Sequence, residues 1–102
     1  MRYNALVTEP ALQDIASICE YLDERSDQAA DMWIDSLIAA IETLERSPGR
    51  CPLIREQDRS FPEPVRQLLV GSYRILFAIR SDVVAILHVR HTARDDLKAS
   101  DL

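Results

Sequence analysis

Within 102 residues, the side chains able to move protons or bind anions are few and unevenly placed. There are two histidines, His88 and His91, and two cysteines, Cys19 and Cys51. All basic residues except Lys98 are arginine. Arginine presents a planar fork of donors that matches phosphate or carboxylate oxygens in pairs. Histidine can give or take a proton near neutral pH. Anion recognition, with His91 available for proton transfer, is therefore the chemistry these residue types offer. The histidines lack ligand spacing with each other or with the cysteines, and no glycine-rich phosphate loop is present. No metal, nucleotide or other cofactor is expected.

The charge is divided along the chain. Residues 1–45 carry two arginines against ten acids, a net of −8, and residues 46–102 carry ten basic residues against seven acids, a net of +3. A basic surface in the second half is one reading, despite a pI of about 4.9. Mixing and cancellation of the charges on the folded surface is the other. Hydrophobic residues at 47% and charged residues at 28% are globular values, so a disordered, collagen-like or low-complexity chain is excluded. No apolar run reaches the ~18–20 residues of a membrane-spanning helix. The start of the chain, broken by Asn4, Glu9, Pro10 and Asp14, has no signal-peptide apolar core. Two widely spaced cysteines suggest no disulfide framework, so reduced thiols and a cytoplasmic location are expected, without membrane association.

The length suits one domain over residues 1–102. Residues 2–8 read as a strand, and Thr8 stands at a helix N-cap with Glu9 and Pro10 in the first turn. Ala11, Leu12, Ile15, Ile18, Cys19 and Leu22 then recur at helical spacing. The pattern breaks at Arg25-Ser26, and Ser26 is placed to cap a second helix from Asp27. Ala30, Trp33, Ile34, Leu37, Ile38, Ile41 and Leu44 form its stripe, which Pro48-Gly49 stops. So short a break predicts a helical hairpin. Residues 48–64, with five prolines and glycines, predict an ordered loop. Val65–Val70, Tyr73–Arg80 and Val83–His91 are β-rich runs separated by Gly71-Ser72 and Ser81-Asp82, the signature of an antiparallel meander. The result is an α+β fold of order β-α-α-β-β-β, an N-terminal helical hairpin packed on one face of an antiparallel sheet.

If Arg80 pairs with Val83, the last hairpin puts Tyr73, Ile75, Phe77 and Ile79 on the helix-facing side with Val84, Ile86, His88 and Arg90. Arg74, Leu76, Ala78 and Arg80 then share a thinner, exposed face with Val83, Ala85, Leu87, Val89 and His91. Arg74 lies diagonal to His91 in that register.

These elements resemble those of the RelE/ParE superfamily of toxins from type II toxin–antitoxin systems. The resemblance rests on Gly71-Ser72-Tyr73-Arg74 opening a strand, the apolar Ile75–Ile79 run, the Ser81-Asp82 turn, and Val89-Arg90-His91 followed by Arg94-Asp95. Thr8-Glu9-Pro10-Ala11, Asp14-Ile15 and Ile18 resemble the start of the family's first helix. The similarity covers about residues 3–96. The helical hairpin and the His91, Arg94, Asp95 pattern look more like the ParE branch, with its related plasmid-stabilisation proteins.

The resemblance implies a cytoplasmic toxin that inhibits growth and is neutralised by a cognate antitoxin. For the ParE branch it implies binding to DNA gyrase without catalysis. Arg66, Arg74, Arg90, His91 and Arg94, at the basic ends of the strands, are then the target-binding candidates. For the RelE branch it implies a ribosome-dependent mRNA endoribonuclease. Attack by a 2′-hydroxyl needs a base, cations for the developing charge and an acid, which Glu63, Arg74 and His91 would supply. A single lysine and a net charge of −5 give such a nuclease little help in holding RNA. A third alternative is a degenerate member that binds its partner without toxicity. A homodimer or a toxin–antitoxin hetero-oligomer is compatible with the apolar sheet face.

Overall fold

A computed structural model describes residues 2–93 and 96–102. The chain runs β1 (Asn4–Val7), α1 (Glu9–Asp23), α2 (Ala29–Leu44), β2 (Arg66–Val70), β3 (Tyr73–Arg80) and β4 (Val83–His91). Short 3-10 turns occupy Pro48–Arg50 and Ala99–Asp101. The sheet order is β1-β4-β3-β2. The expected α+β order is found, with one correction to the sheet: β1 pairs parallel to β4. The helices explain it. α1 continues from β1 along β4, and α2 returns the chain to the end where β1 began, where the Tyr3 N–H donates to the Glu45 carbonyl at 2.7 Å. β2 therefore sets off in the direction of β1, and two tight turns bring β4 back parallel to it.

Local signals place most boundaries. Thr8 is the N-cap of α1 and Pro10 lies in its first turn, as expected. Its hydroxyl does not cap the helix; it donates to the Ile86 carbonyl at 2.6 Å and so fastens α1 to the sheet. α2 starts two residues later than expected: Gln28 is its N-cap, and Ser26 Oγ accepts from the Gln28 N–H at 3.3 Å.

The register matches the expectation from Arg80↔Val83 to Phe77↔Ile86, then shifts so that Leu76 pairs with His88. Leu87 is the extra residue of a β-bulge. It coincides with a change on the other edge of β4. β1 ends at Val7, so beyond Ile86 the strand's outer groups pass to a helix: Asp14 Oδ2 accepts the Val89 N–H at 3.0 Å. The bulge reverses the faces of the last residues. Tyr73 now pairs with His91 and Arg74 with Arg90, so the expected approach of Arg74 to His91 on one face is overturned.

Both faces of the sheet are buried. Against the helices lie Ile75, Phe77, Val84 and Ile86, packed with Ala11, Leu37 and Leu44. On the other side, Leu76, Ala78, Ala85 and Leu87 pack with Ile54, Val65 and Leu97. The face expected to be thin and exposed is thus a second core, roofed by the proline-rich loop and the tail. Continuous apolar runs in β3 and β4 are what a strand buried on both faces requires.

Candidate functional site

Arg74 projects from β3 into the second core and is 0% exposed. Its Nη1 donates to Glu56 Oε1 at 2.9 Å and Gln67 Oε1 at 3.0 Å, and Nη2 donates to Glu56 Oε2. Glu56 Oε2 also accepts the Leu97 N–H at 2.8 Å. Burial pushes the Glu56 carboxyl up. The Arg74 fork and the Leu97 N–H outweigh it and bring the pKa down to about 2. This pair ties the loop and the tail to the sheet.

The other expected residues are also placed by partners. Arg66 Nη1 donates to the Cys51 carbonyl at 2.6 Å, closing the loop onto β2. Arg90 lies between Asp14, at 3.9 Å, and Asp101, at 3.7 Å. Glu63 accepts from Arg80 Nε at 3.0 Å, and this hydrogen bond holds its carboxyl below the usual range. His91 stands edge-on to Tyr73, with ring centroids 5.5 Å apart, and its Nδ1 accepts the Ala93 N–H at 3.1 Å. Arg94 lies outside the described residues.

Glu63, Arg74 and His91 are therefore not gathered. Arg80, which holds Glu63, closes β3, whereas Arg74 and the partner of His91 open it. Six residues of strand span ~20 Å, against the ~3 Å reach of a shared proton-transfer site. Arg74 and His91 are neighbours along the sheet but point to opposite faces.

What the structure does gather around His91 is a groove of about 520 Å³ between the second half of α1 and the start of β3, lined by Ser17, Ile18, Tyr21, Leu22, Ser72 and Tyr73. A hollow of about 270 Å³ adds Asp14, Val89 and Arg90. Aromatic contacts order its wall: Trp33 lies 5.3 Å from Tyr73, and Arg25 sits 4.3 Å above the Tyr21 ring. Sequence reasoning missed Tyr21 and Tyr73. Only the i, i+4 spacing of Ser17 and Tyr21, and the position of Tyr73 just after a tight turn, signal them. His88, expected on the helix-facing side opposite Ile75, pairs with Leu76 after the bulge; its Nδ1 lies 2.8 Å from Asp14 Oδ2 on α1 and its Nε2 3.0 Å from the Asp101 carbonyl. Among the described residues no group of three metal-ligating side chains occurs.

The groove offers phenol, hydroxyl and imidazole groups beside apolar walls. Its carboxylate, Asp14, already holds the Val89 N–H and His88, and its guanidinium, Arg90, lies between two acids.

Comparison with known proteins decides the lineage. The profile described as "ParE toxin of type II toxin-antitoxin system, parDE" matches residues 5–96. The chain belongs to the ParE toxin family. This ParE-family toxin superposes on a chain of the chromosomal ParDE toxin–antitoxin system from P. aeruginosa with a TM-score of 0.72 at 13% identity, covering 88% of this chain and 96% of the other. It also superposes on a chain of the RelBE2 toxin–antitoxin complex from Mycobacterium tuberculosis with a TM-score of 0.58 at 24% identity, covering 89% and 99%. At these identities the two structures speak for the fold. Comparison with curated protein sequences gives no match. No described helix is long and apolar enough to cross a membrane.

Proposed function

We propose that this ParE-family toxin inhibits growth by binding DNA gyrase, without catalysis, and is neutralised by a cognate antitoxin. The observation that carries the reading is the commitment of Glu63 and Arg74 to structural pairs at opposite ends of β3. A nuclease needs base, cation and acid converging on one phosphate. A binding toxin needs a shaped surface, and the His91 groove has one. Arg90, His91 and Arg94 are the target-binding residues in this reading, with Tyr73 and Tyr21 as anchors. Arg66 and Arg74 act behind that surface, by holding the sheet and loop in place.

The antitoxin is proposed from family membership and from the toxin–antitoxin systems to which the two superposed structures belong. The outer edge of β2 is suited to main-chain pairing. Pro52 covers its first half by accepting the Gln67 N–H, while Leu69 lies 59% exposed in the second half.

Purified toxin added to a gyrase supercoiling assay and to an mRNA-dependent translation assay separates the possibilities. Inhibition of supercoiling with intact message is the expected result. Cleaved message with unaffected gyrase would replace this reading with the ribosome-dependent nuclease. Inactivity in both assays would favour the degenerate member.

A further inference from the structure

The arginines of the sheet are held in different ways. Arg74 meets Glu56, and Arg80 meets Glu63, through direct hydrogen bonds to the carboxylate. Arg90 has no such bond. Its side chain is only 21% exposed, yet Asp14 Oδ2 stands 3.9 Å from its Nε and Asp101 Oδ2 3.7 Å from its Nη2. Both separations are too long for a hydrogen bond. Each of those oxygens is also engaged elsewhere, Asp14 Oδ2 with the Val89 N–H and His88, Asp101 Oδ2 with the Lys98 N–H at 2.9 Å. What remains to Arg90 is a contact of 3.4 Å from Nη2 to His88 Nδ1, a nitrogen that faces Asp14. Nε is buried without a hydrogen-bond partner, and Nη1, which is not fully buried, makes no hydrogen bond among the described residues. A guanidinium largely withdrawn from water is thus left with unused donors, an unfavourable state until an acceptor arrives.

Arg90 lines the hollow beside the His91 groove. The two share Ser17, Ile18, Tyr73 and His91, so they form one continuous recess. Trp33 Nε1 is also buried and unbonded, but Trp33 lines neither part. The charges around Arg90 select what can enter. Its positive charge already stands between Asp14 and Asp101, and the chain as a whole carries −5. A phosphate or carboxylate would bring a further negative charge close to those two. A main-chain carbonyl accepts the same hydrogen bonds without that repulsion. Beside it, Ile18, Leu22 and the ring of Tyr73 offer an apolar wall to a side chain.

We propose that the His91 groove takes a neutral, apolar peptide segment of its partner protein. One apolar side chain seats against Ile18, Leu22 and Tyr73, and an adjacent main-chain carbonyl accepts from Arg90. This rests on the reading of the groove as a binding surface and names the chemistry of what it binds. Arg90 acts here through the direction of its N–H groups, and its charge is balanced within the toxin. Binding should therefore depend little on salt, unlike capture of a nucleic-acid backbone.

The test is an NMR titration of nitrogen-labelled toxin, made by cell-free synthesis, that follows the Arg90 Nε–H signal and the groove amides. The probes are N-acetyl-leucine N-methylamide, N-acetyl-leucine with its carboxylate, and inorganic phosphate. The neutral amide should give saturable shifts at Arg90 and the groove, with the carboxylate probe about tenfold weaker and phosphate silent. R90K keeps the charge but loses the planar donor edge, so it should weaken the amide about tenfold while the melting curve shows a folded protein. Tighter binding of either anion would overturn the proposal, as would unchanged amide binding by folded R90K. A supercoiling assay on the same toxin keeps the two readings apart. Gyrase inhibition without an amide response would overturn this proposal alone. An amide response at Arg90 without gyrase inhibition would support it and remove gyrase as the partner.

Discussion

Arg74 holds Glu56 with both arms of its guanidinium, beneath a roof made by the loop and tail that Glu56 itself helps to fix. Residues 18 apart in sequence thereby become one structural unit. An ion pair in a dry interior costs desolvation, so its removal as a whole differs from removal of one member. Loss of a single partner leaves a buried charge uncompensated and costs about 3–5 kcal/mol.

The pair gives the toxin an acid-sensitive contribution to stability. The folded Glu56 pKa, about 2, is below the ordinary value of 4.5. The unfolded chain therefore binds the proton first as pH falls, so stability declines between about pH 4.5 and 2. A shift of that size corresponds to roughly 3 kcal/mol, fully present above the unfolded pKa. Urea unfolding across this range should show the decline in the native protein. The difference between native protein and E56Q should shrink as pH falls, and a constant difference would exclude the linkage.

Arg74 and Glu63 should behave oppositely on mutation. R74A should lower stability by about 3 kcal/mol or more and lose toxicity through misfolding. E63A breaks a pair whose arginine is half exposed, so it should cost at most about 1 kcal/mol and leave growth inhibition intact. Thermal melts beside growth curves check both. A folded E63A without toxicity would count strongly for catalysis.

How far the sequence spoke depended on the range of the interaction. The helical stripes and the Gly71-Ser72 and Ser81-Asp82 turns are local signals, and they placed the elements within a few residues. The start of the β3–β4 register followed from the Ser81-Asp82 turn alone. The bulge at Leu87 could not follow from it, because the strand beyond the bulge is held by Asp14 on α1, 75 residues from Val89. That one residue exchanged the faces of Val89, Arg90 and His91 and with them the expected site. Likewise, the roof over the second core depends on Ile54, Val65 and Leu97, which the sequence leaves scattered among prolines and charges. In the sequence Tyr73 is legible only as the first residue of a strand; its place in the groove wall depends on α1 and Trp33 coming beside it in the fold.

His91 and Tyr73 should separate binding from stability. Their edge-on contact is worth about 1 kcal/mol, so H91A should lower the melting temperature by only a few degrees. As part of the recognition surface, H91A should weaken target binding by about 2 kcal/mol or more, and Y73F should have a smaller effect. Affinity for immobilised gyrase, measured beside melting curves, checks this. Unchanged affinity in H91A would remove the groove from the binding surface.

The two turns of the meander carry the same backbone demand but different residues. Gly71 has φ +60° and Ser81 has φ 57°, both left-handed. Glycine adopts this conformation freely, whereas a side chain there costs roughly 1 kcal/mol. A Cβ built on Gly71 meets nothing within 4 Å, so G71A should lose about 1 kcal/mol from conformation alone. S81G removes the penalty at the second turn but adds freedom to the unfolded chain, so its net gain should be about 0.5 kcal/mol. Equilibrium unfolding of the two variants should move in opposite directions, with unchanged toxicity in both. A destabilised S81G would show that the serine side chain contributes more than its backbone strain removes.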